Sequence, residues 1–289
     1  LIGISTTYFA LQGFGLYDSV AQANKAGFGL AELGAAHAFE KNIPSALKKI
    51  KNDFSKMRFT VHGLFPPLKK GFWFNPPEGL TVQNKKVIEG FFSAAVAVEA
   101  ELVSFHPGFS HRAVWGRQIR GLNYPSYGKQ FPRARAFENS FKVFSFAQKL
   151  SEKTGINFAI ENIPVGGTDK PLFVTAKDFE KAFSLFSSCG LLLDYGHALF
   201  SQNLQELLSL QEKIKQIHLH YSKPFGKANI DDNHAPVQSL ETLAPLLKVK
   251  QLRRIPVIFE HGNNVPLQSV LREKQLFESF LEKNAEVFL

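Results

Sequence analysis

The segment IKQIHLHYSKPFGKANIDDNHAPV, residues 214–237, sets His218, His220, Asp231, Asp232 and His234 within one short apolar run and the stretch after it. Neutral imidazole and carboxylate together are the ligands of zinc and manganese. The same side chains close other apolar runs along the chain. His62 ends FTVH, His106 follows LVSF, Glu161 ends NFAIE, Asp194 ends LLLD with His197 three residues on, and Glu260 ends VIFE. A carboxylate at the end of a buried apolar run needs a cation or a hydrogen-bonded partner to offset its desolvation. Nine residues therefore read as metal ligands: His62, His106, Glu161, Asp194, His197, His218, Asp232, His234 and Glu260. That set exceeds what one ion can use.

Taken singly, a histidine near a strand end is more often a hydrogen-bonded structural residue than a ligand. Repetition at several strand ends favours the metal. His220, two residues beyond His218, points to the same strand face and competes with it for the ligand role. His261 points away from its neighbour Glu260, and His37 and His111 fall in loops; these three read as structural or supporting residues.

Eight short strand-like runs begin at Ile2, Gly29, Phe59, Leu102, Asn157, Gly190, Ile214 and Ile255, each separated from the next by a helical stretch. Asp18, Thr81 and Thr175 stand as helix N-caps, Thr175 with Asp178 at the capping-box position, and Gly27 suits the end of the first helix. Alternating strands and helices imply a parallel sheet with right-handed crossovers. At 289 residues the economical closure is one α/β domain over 1–289, a (β/α)8 TIM barrel. An open doubly wound sheet is disfavoured because no GxGxxG follows the first run. A barrel places its chemistry at the C-terminal strand ends, where the nine ligands fall.

Composition sets the outer bounds. No run approaches the roughly 18 uninterrupted apolar residues of a membrane span, so no membrane partner is expected. The single cysteine, Cys189, cannot form an internal bridge, and no basic-then-apolar leader precedes Ile2, so the expected location is cytoplasmic. Thirty-four Lys and Arg against 25 Asp and Glu leave a net charge of +9, which attracts polyanions. Much of that charge sits in one loop, at about 108–136, after the fourth strand. It carries Arg112, Arg117, Arg120, Lys129, Arg133 and Arg135 without an acidic residue, interleaved with Trp115, Tyr124, Tyr127 and Phe131. Such a loop either grips phosphates while its rings stack on bases, or is an ordinary lid with a solvated basic face.

These residues in this order resemble the xylose isomerase-like barrel superfamily, and most closely the endonuclease IV family of apurinic/apyrimidinic endonucleases (AP endonuclease family 2). The resemblance is carried by His62, His106-Pro107-Gly108, Glu161-Asn162, Asp194-Tyr195-Gly196-His197, His218, Asp232-Asn233-His234 and Glu260. It implies a trinuclear zinc cluster. Glu161 would bridge one ion held by His62 and His106 to a second held by Asp194, His218 and Glu260, and His197, Asp232 and His234 would hold a third. It further implies a hydrolase that cuts the backbone of damaged double-stranded DNA at abasic sites, with Glu161 and Glu260 at the reacting centre. Arg112, Trp115, Arg117, Arg120, Tyr124, Lys129, Arg133 and Arg135 would touch the DNA.

The same superfamily holds sugar and sugar-phosphate isomerases and epimerases. They look like this chain in Glu161, Asp194, His197, His218 and Glu260, use one ion such as Mn2+ or Mg2+, and have two glutamates that flank the substrate carbon and move protons between its faces. AGFGLAELG around Glu32 leans toward them, as does the lack of a glycine-rich continuation after His234. Against them stand His62, His106, Asp232 and His234, and Pro224 at a position where epimerases often carry arginine.

Overall fold

The computed structural model describes residues 1–69, 71–119, 122–227, 229 and 232–288, without the side chains of 117–119 and 122–124. The strands in chain order are β1 (Ile2–Ser5), β2 (Leu30–Leu33), β3 (Arg58–His62), β4 (Leu102–Phe105), β5 (His111–Ile119), β6 (Leu122–Gln130), β7 (Asn157–Glu161), β8 (Cys189–Asp194), β9 (Ile214–Leu219) and β10 (Val257–Phe259). Eight of them close into a parallel barrel in the order β1-β10-β9-β8-β7-β4-β3-β2, while β5 and β6 pair antiparallel as a separate ribbon. The fold is the expected (β/α)8 barrel. Among the described residues no helix is long and apolar enough to cross a membrane.

Local signals explain most boundaries. Thr81 caps the helix Val82–Val98 by accepting from the Asn84 amide, and Thr175 with Asp178 forms the capping box of the helix Ala176–Leu185. The helix Leu16–Lys25 starts three residues earlier than Asp18 as N-cap suggests. Its N-cap is the extended Gly15, which lets Leu16 join Val20 and Ala23 on the buried face, and Asp18 complements the helix dipole from the first turn. Glu99, left-handed at φ 53°, ends the helix Val82–Val98 so that the chain can turn into β4.

Phenylalanine fills the layer between barrel and helices. Phe105 on β4 stacks on Phe158 of β7 at 5.8 Å and 7°, and Phe91 and Phe144 pack on Phe105 from two helices. Each such ring contributes about 1.5–3 kcal/mol when fully buried. With this layer apolar and tightly packed, polar side chains are tolerated at the strand ends, and there the register sets them side by side. Asp194 pairs with His218 across β8 and β9, and Glu32 pairs with Thr60 across β2 and β3.

Candidate metal centre

Each strand end delivers its ligand by a local device. His62, Glu161 and Asp194 are the last residues of β3, β7 and β8, His218 is the penultimate residue of β9, and His106 and Glu260 directly follow β4 and β10. After His106 the chain turns at Gly108, with φ +107°, where an added Cβ would lie 2.1 Å from Pro77 Cδ. Only glycine fits that corner. Asp194 also caps the short helix Tyr195–Phe200, accepting from the His197 amide at 2.6 Å, which fixes the spacing between those two ligands. His234 adopts a left-handed φ of 44°, unusual for a non-glycine residue. His261 holds that turn by donating Nδ1–H to the His234 carbonyl at 2.9 Å, while its Nε2 meets buried Glu273 at 2.5 Å.

The nine predicted ligands converge at the C-terminal mouth in groups whose donor atoms lie within 4.8 Å of one another. His62, His106 and Glu161 form one; Glu161, Asp194, His218 and Glu260 a second; His197, Asp232 and His234, joined by His220, a third. Glu161 faces two groups with different oxygens. Its Oε2 lies 3.2 Å from His62 Nε2 and 3.3 Å from His106 Nε2, and its Oε1 lies 3.4 Å from His197 Nδ1 and 3.9 Å from His218 Nδ1. His218 Nδ1 also lies 3.0 Å from Glu260 Oε2 and 3.8 Å from Asp194 Oδ2. In the third group Asp232 Oδ2 meets His234 Nε2 at 2.8 Å and His197 Nε2 at 3.0 Å.

A divalent ion fits these donors. Glu161 Oε2, His218 Nδ1 and His220 Nδ1 are buried without a hydrogen-bond partner. Bare lone pairs in an interior are costly, and here one faces each of the three groups, where a bound cation would relieve it. The opposite ring nitrogens are already fixed, as metal-binding histidines require. His197 Nδ1 donates to the Asn162 carbonyl at 2.9 Å, His234 Nδ1 to the Glu260 carbonyl at 3.1 Å, and His62 Nδ1 meets Ser104 Oγ at 3.0 Å.

Two supporting residues escaped the ligand reading of the sequence. Fully buried Glu32 lies 3.0 Å from His218 Nε2 and accepts from Thr60 Oγ1 at 3.2 Å, so it orients the ring whose Nδ1 points into the second group. Its signal was present: a carboxylate inside the apolar run LAEL obeys the same desolvation logic as Glu161. Asn162 ties β7 to β8, donating to the Asp194 carbonyl at 2.9 Å and accepting from the Asp194 amide at 2.8 Å.

The charges are strongly coupled. Burial by itself raises the Glu161 carboxyl, but the facing His106 and His62 outweigh it and hold the group well below the usual carboxylate range. Asp232 is likewise pushed up by burial and carried well below its ordinary value by His234 and His220. Burial lowers His234, yet the Asp232 carboxylate wins and lifts it to about 9. His37, by contrast, is buried against Thr6 with no such partner, and burial holds it at about 4.

The sequence profile described as the xylose isomerase-like TIM barrel matches residues 20–276. The chain belongs to this family. An uncharacterized protein of Methanocaldococcus jannaschii, MJ1311, is 22% identical over 275 residues, covering 92% of this chain and 83% of its own length. Among solved structures, a D-tagatose 3-epimerase-like protein superposes with a TM-score of 0.70 at 18% identity, covering 99% of this chain and 98% of its own. The IOLI protein with a bound zinc atom gives 0.69 at 14% identity, with 98% of each chain covered. Endonuclease IV from Thermus thermophilus gives 0.60 at 16% identity, with 98% of this chain and 99% of its own. At these identities the likeness establishes the fold.

In this xylose isomerase-like barrel β5 and β6 make the middle of the basic stretch a β-ribbon rather than a loop, while Arg133 and Arg135 open the helix Arg133–Thr154. The ribbon's root packs onto the centre: the Phe109 ring lies 6.3 Å from His106 and 5.2 Å from Tyr127, whose hydroxyl donates to Asp169 at 2.9 Å. Trp115, 43% exposed, lies 6.1 Å from Trp73. Arg112, Lys129 and Arg135 are exposed. Arg133, also exposed, donates from Nη2 to both Asp178 oxygens at 2.8 and 2.9 Å, beside the Phe137 ring. The side chains of Arg117 and Tyr124, and all of Arg120 and Asp231, lie outside the described residues.

Proposed function

We propose that the chain is a metal-dependent phosphodiesterase that hydrolyses the DNA backbone at abasic or otherwise damaged sites, using up to three zinc ions. The observation that carries this reading is Glu161, which presents one oxygen to His62 and His106 and the other to the Asp194, His218 and Glu260 group. A single-ion site has no need of that division. When bound, zinc would supply Lewis acidity toward a phosphoryl oxygen and lower the pKa of water to near neutrality.

The chain's own residues bind and orient. Glu161 and Glu260 hold negative charge at the mouth, so they compensate bound cations and set where a phosphate can approach. Glu32 and Asn162 keep His218 and Asp194 in place. Arg112, Lys129 and Arg135 on and beside the ribbon supply positive charge for a polyanion, and exposed Trp115 offers a face on which a base can stack.

A second reading has its own observation. The set Glu161, Asp194, His218 and Glu260 could by itself hold one ion, and in that reading Glu161 and Glu260 would pass a proton between faces of a sugar carbon. Metal content per chain, followed by cleavage of an abasic-site duplex, separates the two. About three zinc ions with strand cleavage supports the hydrolase; one ion, no cleavage and turnover of a ketose support the epimerase.

A further inference from the structure

His220 is fully buried in the third group, yet the nine-residue set makes no use of it. Its Nε2 lies 3.0 Å and 3.2 Å from the two Asp194 oxygens, so the ring proton is donated there and Nδ1 keeps the lone pair. Nδ1 has no hydrogen-bond partner and lies 3.9 Å from Asp232 Oδ1. One ring nitrogen on a carboxylate and the other bare among metal-binding side chains is how proteins prepare a histidine ligand. The ring stacks on His234 at 3.8 Å and 8°, and meets His197 edge-on at 5.5 Å.

The space for that ring is made by Gly196. A Cβ there would lie 2.0 Å from His220 Cε1 and 2.1 Å from Nδ1. No side chain larger than hydrogen fits at position 196 while His220 holds this position. The short D-Y-G-H segment thus provides two ligands and the room for a further one.

We propose that His220, through Nδ1, is a fourth protein ligand of the ion held by His197, Asp232 and His234. The inference rests on the multinuclear reading above and deepens it. Four protein donors complete a closed zinc site, whereas catalytic zinc keeps one position open. The third ion is then an anchor for the loops after β8 and β9, and the chemistry falls to the two positions that share Glu161.

The test uses metal-free wild type, H220N and G196A, reloaded with Zn2+ or Co2+, with ions counted per chain and cobalt spectra recorded. Wild type is expected to hold three ions. In both variants the third ion should yield to a chelator at least about tenfold more readily, and the four-coordinate cobalt bands should fade. Three ions retained by H220N with unchanged affinity and spectrum overturn His220 as a ligand and leave the hydrolase reading intact. A wild-type chain with one ion overturns both. Loss of the third ion from H220N, in a wild type that cuts no abasic-site duplex, upholds the ligand and removes the hydrolase. A zinc-loaded wild-type crystal decides the point even if the variants misfold: Nδ1 about 2.1 Å from the ion supports the proposal, and a water in its place overturns it.

Discussion

His106 and His234 belong only to the groups that a one-ion enzyme would not need. Replacing either with alanine should cut strand cleavage at least about 100-fold, at the upper end of what lost metal support costs. A sugar-isomerase activity that survives both changes would sink the hydrolase. Glu32→Gln keeps a hydrogen-bonding group near His218 but removes the charge that raises the ring's basicity. Metal affinity, read by chelator competition, should fall about tenfold, and an unchanged affinity would show that His218 is oriented without Glu32. The pH dependence follows from His234, raised to about 9. Below that pH the metal-free ring is protonated, and a metal must displace the proton. Loading at pH 7 should therefore release protons, and apparent affinity should rise with pH toward about 9. Calorimetry in two buffers of different ionisation enthalpy measures the release; identical heats in both would contradict it.

At the scale of elements, the turn after β4 and the ribbon matter most. Gly108→Ala forces a left-handed alanine against Pro77, which costs about 1–3 kcal/mol and displaces His106. Thermal unfolding and ion counts should fall together, and a full metal complement in this variant would free His106 from the turn. The ribbon's contribution is electrostatic. Neutralising Arg112, Arg117, Arg120 and Arg135 should reduce the slope of log affinity for duplex DNA against log salt by about 0.9 for each phosphate that the chain no longer neutralises.

For the whole molecule, the ligand groups draw on six of the eight barrel strands and on the loop after β9. Bound ions therefore stabilise the closed rim relative to the unfolded chain. At a free zinc concentration of 100 times Kd, one site contributes about 2.7 kcal/mol, and a chelator should lower the melting temperature by several degrees while leaving far-ultraviolet circular dichroism barrel-like. A melting curve indifferent to chelator would mean that the rim is held by its ion pairs alone.

The order of strands and helices, and the residue types at the strand ends, were determined by the sequence. Parallel buried strands must be apolar runs, so a carboxylate or histidine closing one stands out, and Thr81 and Thr175 carry their caps locally. Other features depended on three dimensions. Glu161 could be read as a ligand, but the division of its two oxygens exists only once β3, β4 and β9 are its neighbours. Arg133 reads as a free cation until the fold brings Asp178, 45 residues away, against it. His220 reads as a rival of His218 because strand alternation sets both on one face. Beyond the end of β9 at Leu219 that alternation no longer governs, and the contacts with Asp194 and Gly196 send the ring into the third group. A side chain's type is written locally, whereas its partners are set by closure of the barrel.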